Sequence, residues 1–181
     1  MHVGGSPLQL DKSWNDNGKP PSKDWMGGGE NVRAKDMVVM HQGPETFLSM
    51  MVLDGVFERH PKLRGASVEL GAGWVPEMLG RLDYVVKTWS RVDKNLSDIK
   101  RLPSQQLIEQ MAFTPFAHEN VGSLMSISDS NLYLFSSDYP HVEGTRDPIG
   151  KFEKTLLNNT VLEKDLFYSE NFLRIFPDAR V

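Results

Sequence analysis

Asp138 and His141 stand in "SSDYPHVEG", directly after the apolar run "NLYLF". Core packing has no use for an Asp, a Tyr, a Pro, a His and a Glu in so short a stretch. Carboxylate and imidazole groups hold divalent metals, and both transfer protons. His2 in "MHVGG" and Glu69 in "SVELG" also fall at the ends of short apolar runs, as do His118 and Glu119. A metal brings its bound water's pKa towards neutrality, so Asp138 suits either a ligand or the acceptor of that water's proton. His141 suits a hydrogen bond to substrate or support for a metal ligand. Trp74, after "GAG", suits a pocket wall.

Each residue also has a plainer reading. Asp138 before Tyr-Pro is ordinary Asx-turn chemistry. Beside a chain end, His2 reads first as a frayed residue. A carboxylate at Glu69 would be costly if buried unpaired, so it demands either a metal or an Arg partner. Glu119 at a helix start suits the helix dipole, and Trp74 suits aromatic packing. His41 and His60 read as structural or surface residues. No "HxH", "HxxxH" or "HExxH" pair occurs in the chain, and no "GxSxG" elbow.

The elements that must position these residues alternate in type. Strands are expected at the N-terminus and over 65–71, 111–116 and 131–137, each a short apolar run of the kind buried on both faces of a parallel sheet. Helical spacing covers 45–60, with Phe47, Leu48, Met51, Val52 and Phe57 on one face and Pro61 as the stop. A second helix follows Pro76, burying Met78, Leu79, Leu82, Val85, Val86 and Trp89. "SQQLIEQM" reads as a short helix or as the approach to the next strand, and "HENVGSLMSI" as a brief helix. Asp147 caps another, with Pro148 at its first position and Ile149, Phe152 and Leu156 inward. A last helix over about 160–176 buries Leu162, Leu166, Phe167, Phe172, Leu173 and Phe176. Residues 11–36, rich in Gly, Pro, Asn, Asp and Lys, read as one long loop. The pattern is an α/β chain of βαβ units, in which carboxyl strand ends face the ligand.

Composition narrows the function. The 181 residues suffice for one domain, and a formal net charge of -4 without a basic block argues against nucleic acid or anionic membrane as partner. No apolar run nears the roughly 20 residues of a membrane span, and "MHVGGSPLQL" has no signal-peptide pattern. The absence of cysteine removes disulfides and thiolate ligands, fits a cytoplasmic setting, and leaves any metal to His, Asp and Glu.

Several segments resemble the amidohydrolase 2 family, related to aminocarboxymuconate-semialdehyde decarboxylase. "GVFERHPKLRGASVELGAGWVPEMLGRLD" is similar to the family's "GvferfPdLk" helix end, next strand and "GgGwlP" turn. "LYLFSSDYPHVEG" resembles its last barrel strand with "SDyPH", "HVGG" its fifth-strand "HvGG", and "ENFLRIFP" its closing helix. The resemblance implies a (β/α)8 TIM barrel and metal-dependent hydrolase or decarboxylase chemistry on a small carboxylic or cyclic substrate. It implies zinc, with manganese as the alternative. It implies metal ligation by His2 and Asp138, with Asp138 also the catalytic proton-transfer group. His141 would contact substrate or support the ligands. Glu69 stands where many members carry a histidine, and with Trp74 is assigned to the substrate side.

The family's first-strand "HxH" or "ExH" pair and strands one to four have no counterpart here. The chain is therefore expected to be the C-terminal half of a TIM barrel, with Met1 an internal start, a truncation or a split-gene boundary. Half a barrel leaves edges and core exposed, so a homo-oligomer or a partner N-terminal half is expected. Two alternatives stay open: a non-catalytic half-barrel that assembles with another chain, and an open α/β binding domain with residues 11–36 as a lid.

Overall fold

The structure, a computed structural model, describes residues 1–2, 18, 34–141 and 144–179. The expected loop therefore lies largely outside the described residues, as do Trp14 and Trp25; its last positions open the first helix.

Two strands pair in parallel: β1 (Gly65–Ser67) and β2 (Met111–Phe113), with Gly65 opposite Met111 and Ser67 opposite Phe113. Parallel bridges extend this pair on both sides, from His2 to Val68 and from Phe113 to Tyr133. Four chain segments thus lie side by side in sequence order, all parallel. Helices fill the intervals, as parallel neighbours require.

The strands are shorter than the sequence implied, and each stops for a local reason. Val68 makes the last contact of its run, donating its N–H to Met1 O at 2.8 Å, before Glu69 turns into the left-handed region at φ 59°. Beyond β2 comes Pro115, which has no N–H to give a ladder. In the 131–137 run, Asp129 accepts from Asn131 N at 2.8 Å and caps a 3₁₀ turn over Ser130–Leu132. Only Tyr133 then bridges.

The helices in chain order are α1 (Ala34–Val39), α2 (Gln42–Leu53), α3 (Val56–Arg59), α4 (Val75–Trp89), α5 (Lys94–Ser97), α6 (Pro103–Gln110), α7 (Val121–Ile127), α8 (Pro148–Glu153), α9 (Val161–Asp165) and α10 (Asn171–Ile175). The expected helix over 45–60 is split into α2 and α3 by Gly55, which sits at φ 68°. Between α9 and α10, residues Leu166–Glu170 form a π turn, so the last helix bulges. Thr160 and Glu163 make the capping box that starts it.

The main core gathers Leu48, Val52 and Phe57 with Met78, Leu79 and Leu82, and adds Leu107, Phe113, Tyr133, Phe152 and Phe167. Burial pushes the Tyr133 hydroxyl up to about 12, against the opposing effect of its contact with Ser128 Oγ at 2.6 Å. Phe47, Trp89, Ile149, Leu162, Phe172 and Phe176, all expected inward, are exposed. Helical spacing gives the direction of an apolar stripe but not its width, and these residues lie at stripe margins or helix ends.

Two polar residues of the last helix tie it to the sheet. Asn171 is fully buried and donates through Nδ2 to Ser130 O at 2.8 Å and Tyr133 O at 2.9 Å. Arg174 donates to Glu109 O, Met111 O and Asn131 O at 2.6–3.1 Å, and its burial lowers the guanidinium pKa. The backbone on the Tyr133 side is thus satisfied by a helix rather than by another strand.

Candidate functional site

Glu69 follows β1 by two residues, Asp138 follows the Tyr133 bridge, and His2 is itself a bridge residue. All three lie towards the carboxyl ends of parallel segments, the first, second and fourth of the row, and the fold brings them together. His2 Nε2 is 3.1 Å from Glu69 Oε2. His141 Nδ1 is 3.2 Å from Asp138 Oδ1 and 4.0 Å from Glu69 Oε2. One donor atom each from Glu69, Asp138 and His141 lies within 4.8 Å of the others. The carboxylates are the buried part of the group, with side-chain exposures of 13% for Glu69 and 10% for Asp138; the imidazoles of His2 and His141 are half-exposed at 52% and 40%.

Both carboxylates sit on left-handed backbone, Glu69 at φ 59° and Asp138 at φ 50°. Side chains with a Cβ adopt this region at a cost, and Glu has less to recommend it there than Asp. Such residues concentrate at functional sites because the surrounding fold holds them. Glu69 N donates to Thr114 Oγ1 at 3.0 Å, locking the turn against the end of β2. Asp138 O accepts from His141 N at 2.9 Å, and a Cβ on Gly144 would lie 2.4 Å from the same carbonyl, so the turn packs against a glycine. A small, shallow cleft adjoins the group, lined by Glu69, Thr114, Phe116, Ser137 and Asp138 among others.

Trp74 is placed behind the turn that follows Glu69. Its indole Nε1 donates to Leu70 O and Gly71 O, and its ring meets Phe113 edge-on at 5.5 Å and stacks with His41 at 6.3 Å. Its polar handle is engaged, so what it offers a neighbour is its ring face.

For Glu119, strand-end chemistry and a helix cap were both expected, and the structure gives it another task. Its carboxylate accepts from Ala72 N at 3.0 Å, Gly73 N at 2.6 Å and Phe116 N at 2.6 Å. It clamps the "GAG" turn of one unit to the loop after the next strand. A Cβ on Gly73 would meet its Oε1 at 2.8 Å, and one on Gly71 (φ 68°) would meet Phe116 at 2.9 Å. The glycines are there to admit that carboxylate and ring. His118 is exposed and stacks on Phe116 at 5.7 Å, away from the cluster. The available signal was the pairing of a Gly-rich turn with an acidic residue after the next strand.

No protein-family model matches the chain, and no curated protein matches it. Solved structures do. The chain is similar to the amidohydrolase map2389c from Mycobacterium avium subsp. paratuberculosis K-10, at 26% identity and a TM-score of 0.66, over 82% of this chain and 37% of that one. It is similar in fold to 5-carboxyvanillate decarboxylase LigW from Sphingomonas paucimobilis, at 20% identity and a TM-score of 0.62, over 93% of this chain and 46% of that one. It is likewise similar to IDCase from Metarhizium anisopliae, at 14% identity and 0.59, over 83% and 44%. The chain spans less than half the length of each. A helix-covered parallel sheet in sequence order is what a segment of a β/α barrel contains. Taken with the "SDYPH" and "GAGWVP" segments and the map2389c likeness, it makes the chain similar to part of an amidohydrolase barrel, in keeping with its resemblance to the amidohydrolase 2 family.

Proposed function

We propose that these residues form one pole of a metal-dependent hydrolase or decarboxylase site for a small carboxylic or cyclic substrate. The observation that carries this reading is the convergence of Asp138, Glu69, His141 and His2 past the ends of parallel segments of one sheet. The donor set suits zinc or manganese, being oxygen and imidazole nitrogen throughout. His2 and Asp138 would hold the ion, which when bound supplies Lewis acidity. Asp138 would take and return the proton at a carboxylate oxygen, and His141 Nδ1, 3.2 Å from Oδ1, orients that oxygen. Glu69 and His141 would face the substrate's polar groups, with Trp74 stiffening the wall behind. The chain is read as the C-terminal half of the barrel, so the substrate pocket would draw on loops beyond this segment.

Assays of the chain with zinc or manganese distinguish the chemistries: carbon dioxide release from aromatic carboxylates, or acid release from lactones and esters. The expected result is metal-dependent turnover of one class that falls about 10²–10⁴-fold in Asp138→Ala. Turnover that survives Asp138→Ala unchanged overturns the reading. No turnover of either class favours a second one, a half-barrel that catalyses only when assembled with another chain. The short share of each similar structure that it spans supports this alternative.

A further inference from the structure

Thr114 follows β2 and is only 5% exposed, yet it lines the cleft beside Glu69 and Asp138. Its backbone N–H donates to Ser67 O at 3.0 Å, so the residue continues the pairing of β2 with β1 and is fixed by it. Its Oγ1 accepts from Glu69 N at 3.0 Å, which takes one lone pair and leaves the hydroxyl hydrogen to point elsewhere. Among the described residues, no atom accepts that hydrogen. A buried donor left in this way is costly until a partner arrives. Ser136 and Ser137 bring two more hydroxyls to the same cleft, and none of its lining residues is Lys or Arg. The nearby imidazoles already answer the carboxylates, His2 at 3.1 Å from Glu69 and His141 at 3.2 Å from Asp138. An anionic group entering the cleft would meet two carboxylates of its own sign, a juxtaposition that costs binding. A neutral oxygen would meet hydroxyl donors. The cleft is small, so what it admits is one functional group and not a whole molecule.

We propose that Thr114 is a specificity-determining residue: its Oγ1–H donates to a neutral oxygen of the substrate, a carbonyl or hydroxyl, in a cleft that disfavours a carboxylate. The proposal rests on the reading of these strand ends as a hydrolase or decarboxylase site and deepens it, favouring the ester or lactone class. Two effects combine. Like charge from Glu69 and Asp138 excludes the wrong group. The hydroxyl, already anchored by Glu69 N, orients the right one with little freedom left to lose.

The test uses two probes of one shape and different charge, benzamide and benzoate, titrated into the whole 181-residue chain at neutral pH. A chelator is present, so that the chain's own groups decide, and binding is followed through backbone amide shifts of isotope-labelled protein. Benzamide is expected to bind about 10-fold or more tightly than benzoate, shifting the Thr114 and Ser137 amides. Thr114→Val keeps the shape and removes the hydroxyl; it should weaken benzamide about 5- to 10-fold and so erode the preference, which Thr114→Ser should restore. A merely structural role for Thr114 would move both probes together. Should Thr114→Val fail to melt cooperatively, a nuclear Overhauser contact between the benzamide amide protons and the Thr114 side chain of the parent decides, and its absence overturns the role of Thr114. Parent-like benzamide affinity in a folded Thr114→Val overturns it as well. Benzoate binding as tightly as benzamide, or no shift with either probe, overturns the neutral-oxygen cleft. The proposed function fails separately, on turnover that does not depend on Asp138.

Discussion

At the scale of the residue, the site is held against local preference. Glu69 and Asp138 both occupy backbone that a glycine would take more readily, and their carboxylates face each other across a short gap. Removing either should therefore help the fold while harming the site, the usual exchange at strained functional positions. Glu69→Gly is expected to stabilise the metal-free chain by about 1 kcal/mol, the cost of a left-handed L-residue. Denaturant unfolding in the presence of a chelator measures it; destabilisation would mean that the Glu69 side chain contributes more to folding than its backbone costs. The residue types and strand-end positions of His2, Glu69, Asp138 and His141 were legible in the sequence. The left-handed backbone was not, because neither Glu nor Asp announces it. Nor was the 3.1 Å approach of His2 to Glu69, which depends on two segments 67 positions apart becoming neighbours.

At the scale of the element, the helices were the most legible and the strands the least. α4 follows from Pro76 and a regular apolar stripe, and α8 from Asp147 capping a Pro at its first position. The strands shrank because apolar runs report burial, whereas pairing ends wherever a turn or a proline interrupts the ladder. The turn between β1 and α4 shows what the sequence concealed. Nothing in "GAG" itself names a partner for its turn, but Glu119 accepts three of the backbone N–H groups around it. Hydrogen bonds to a charged acceptor are worth more than neutral ones. Glu119→Gln should cost about 2 kcal/mol, read as a lower denaturant midpoint with an unchanged slope. The midpoint staying within error of the parent would show that the turn holds without its carboxylate. The "ENFLRIFP" segment has a similar explanation: Asn171 and Arg174 bond the sheet's own carbonyls, and so position the last helix against it.

At the scale of the whole molecule, the parallel segments have two unlike borders. On the Tyr133 side, Phe135 N donates to Phe167 O at 2.9 Å and Asn171 takes the Tyr133 carbonyl, so a helix closes the edge. On the other side stands the His2 segment, whose continuation lies outside the described residues. Among the described residues no helix is long and apolar enough to cross a membrane; Leu162, Phe172 and Phe176 are exposed. The proposal of association, with a second copy or a complementary chain, predicts a species larger than one chain in sedimentation velocity at micromolar concentration. A cooperatively folding monomer would refute self-association. One last consequence follows from the Glu119 clamp. Because a carboxylate after one strand completes the turn after the strand before it, adjacent βα units are not interchangeable parts. Recombination that cut between residues 90 and 111 would separate the glycines from the acid that fits them, so the smallest heritable piece of this architecture is a pair of units.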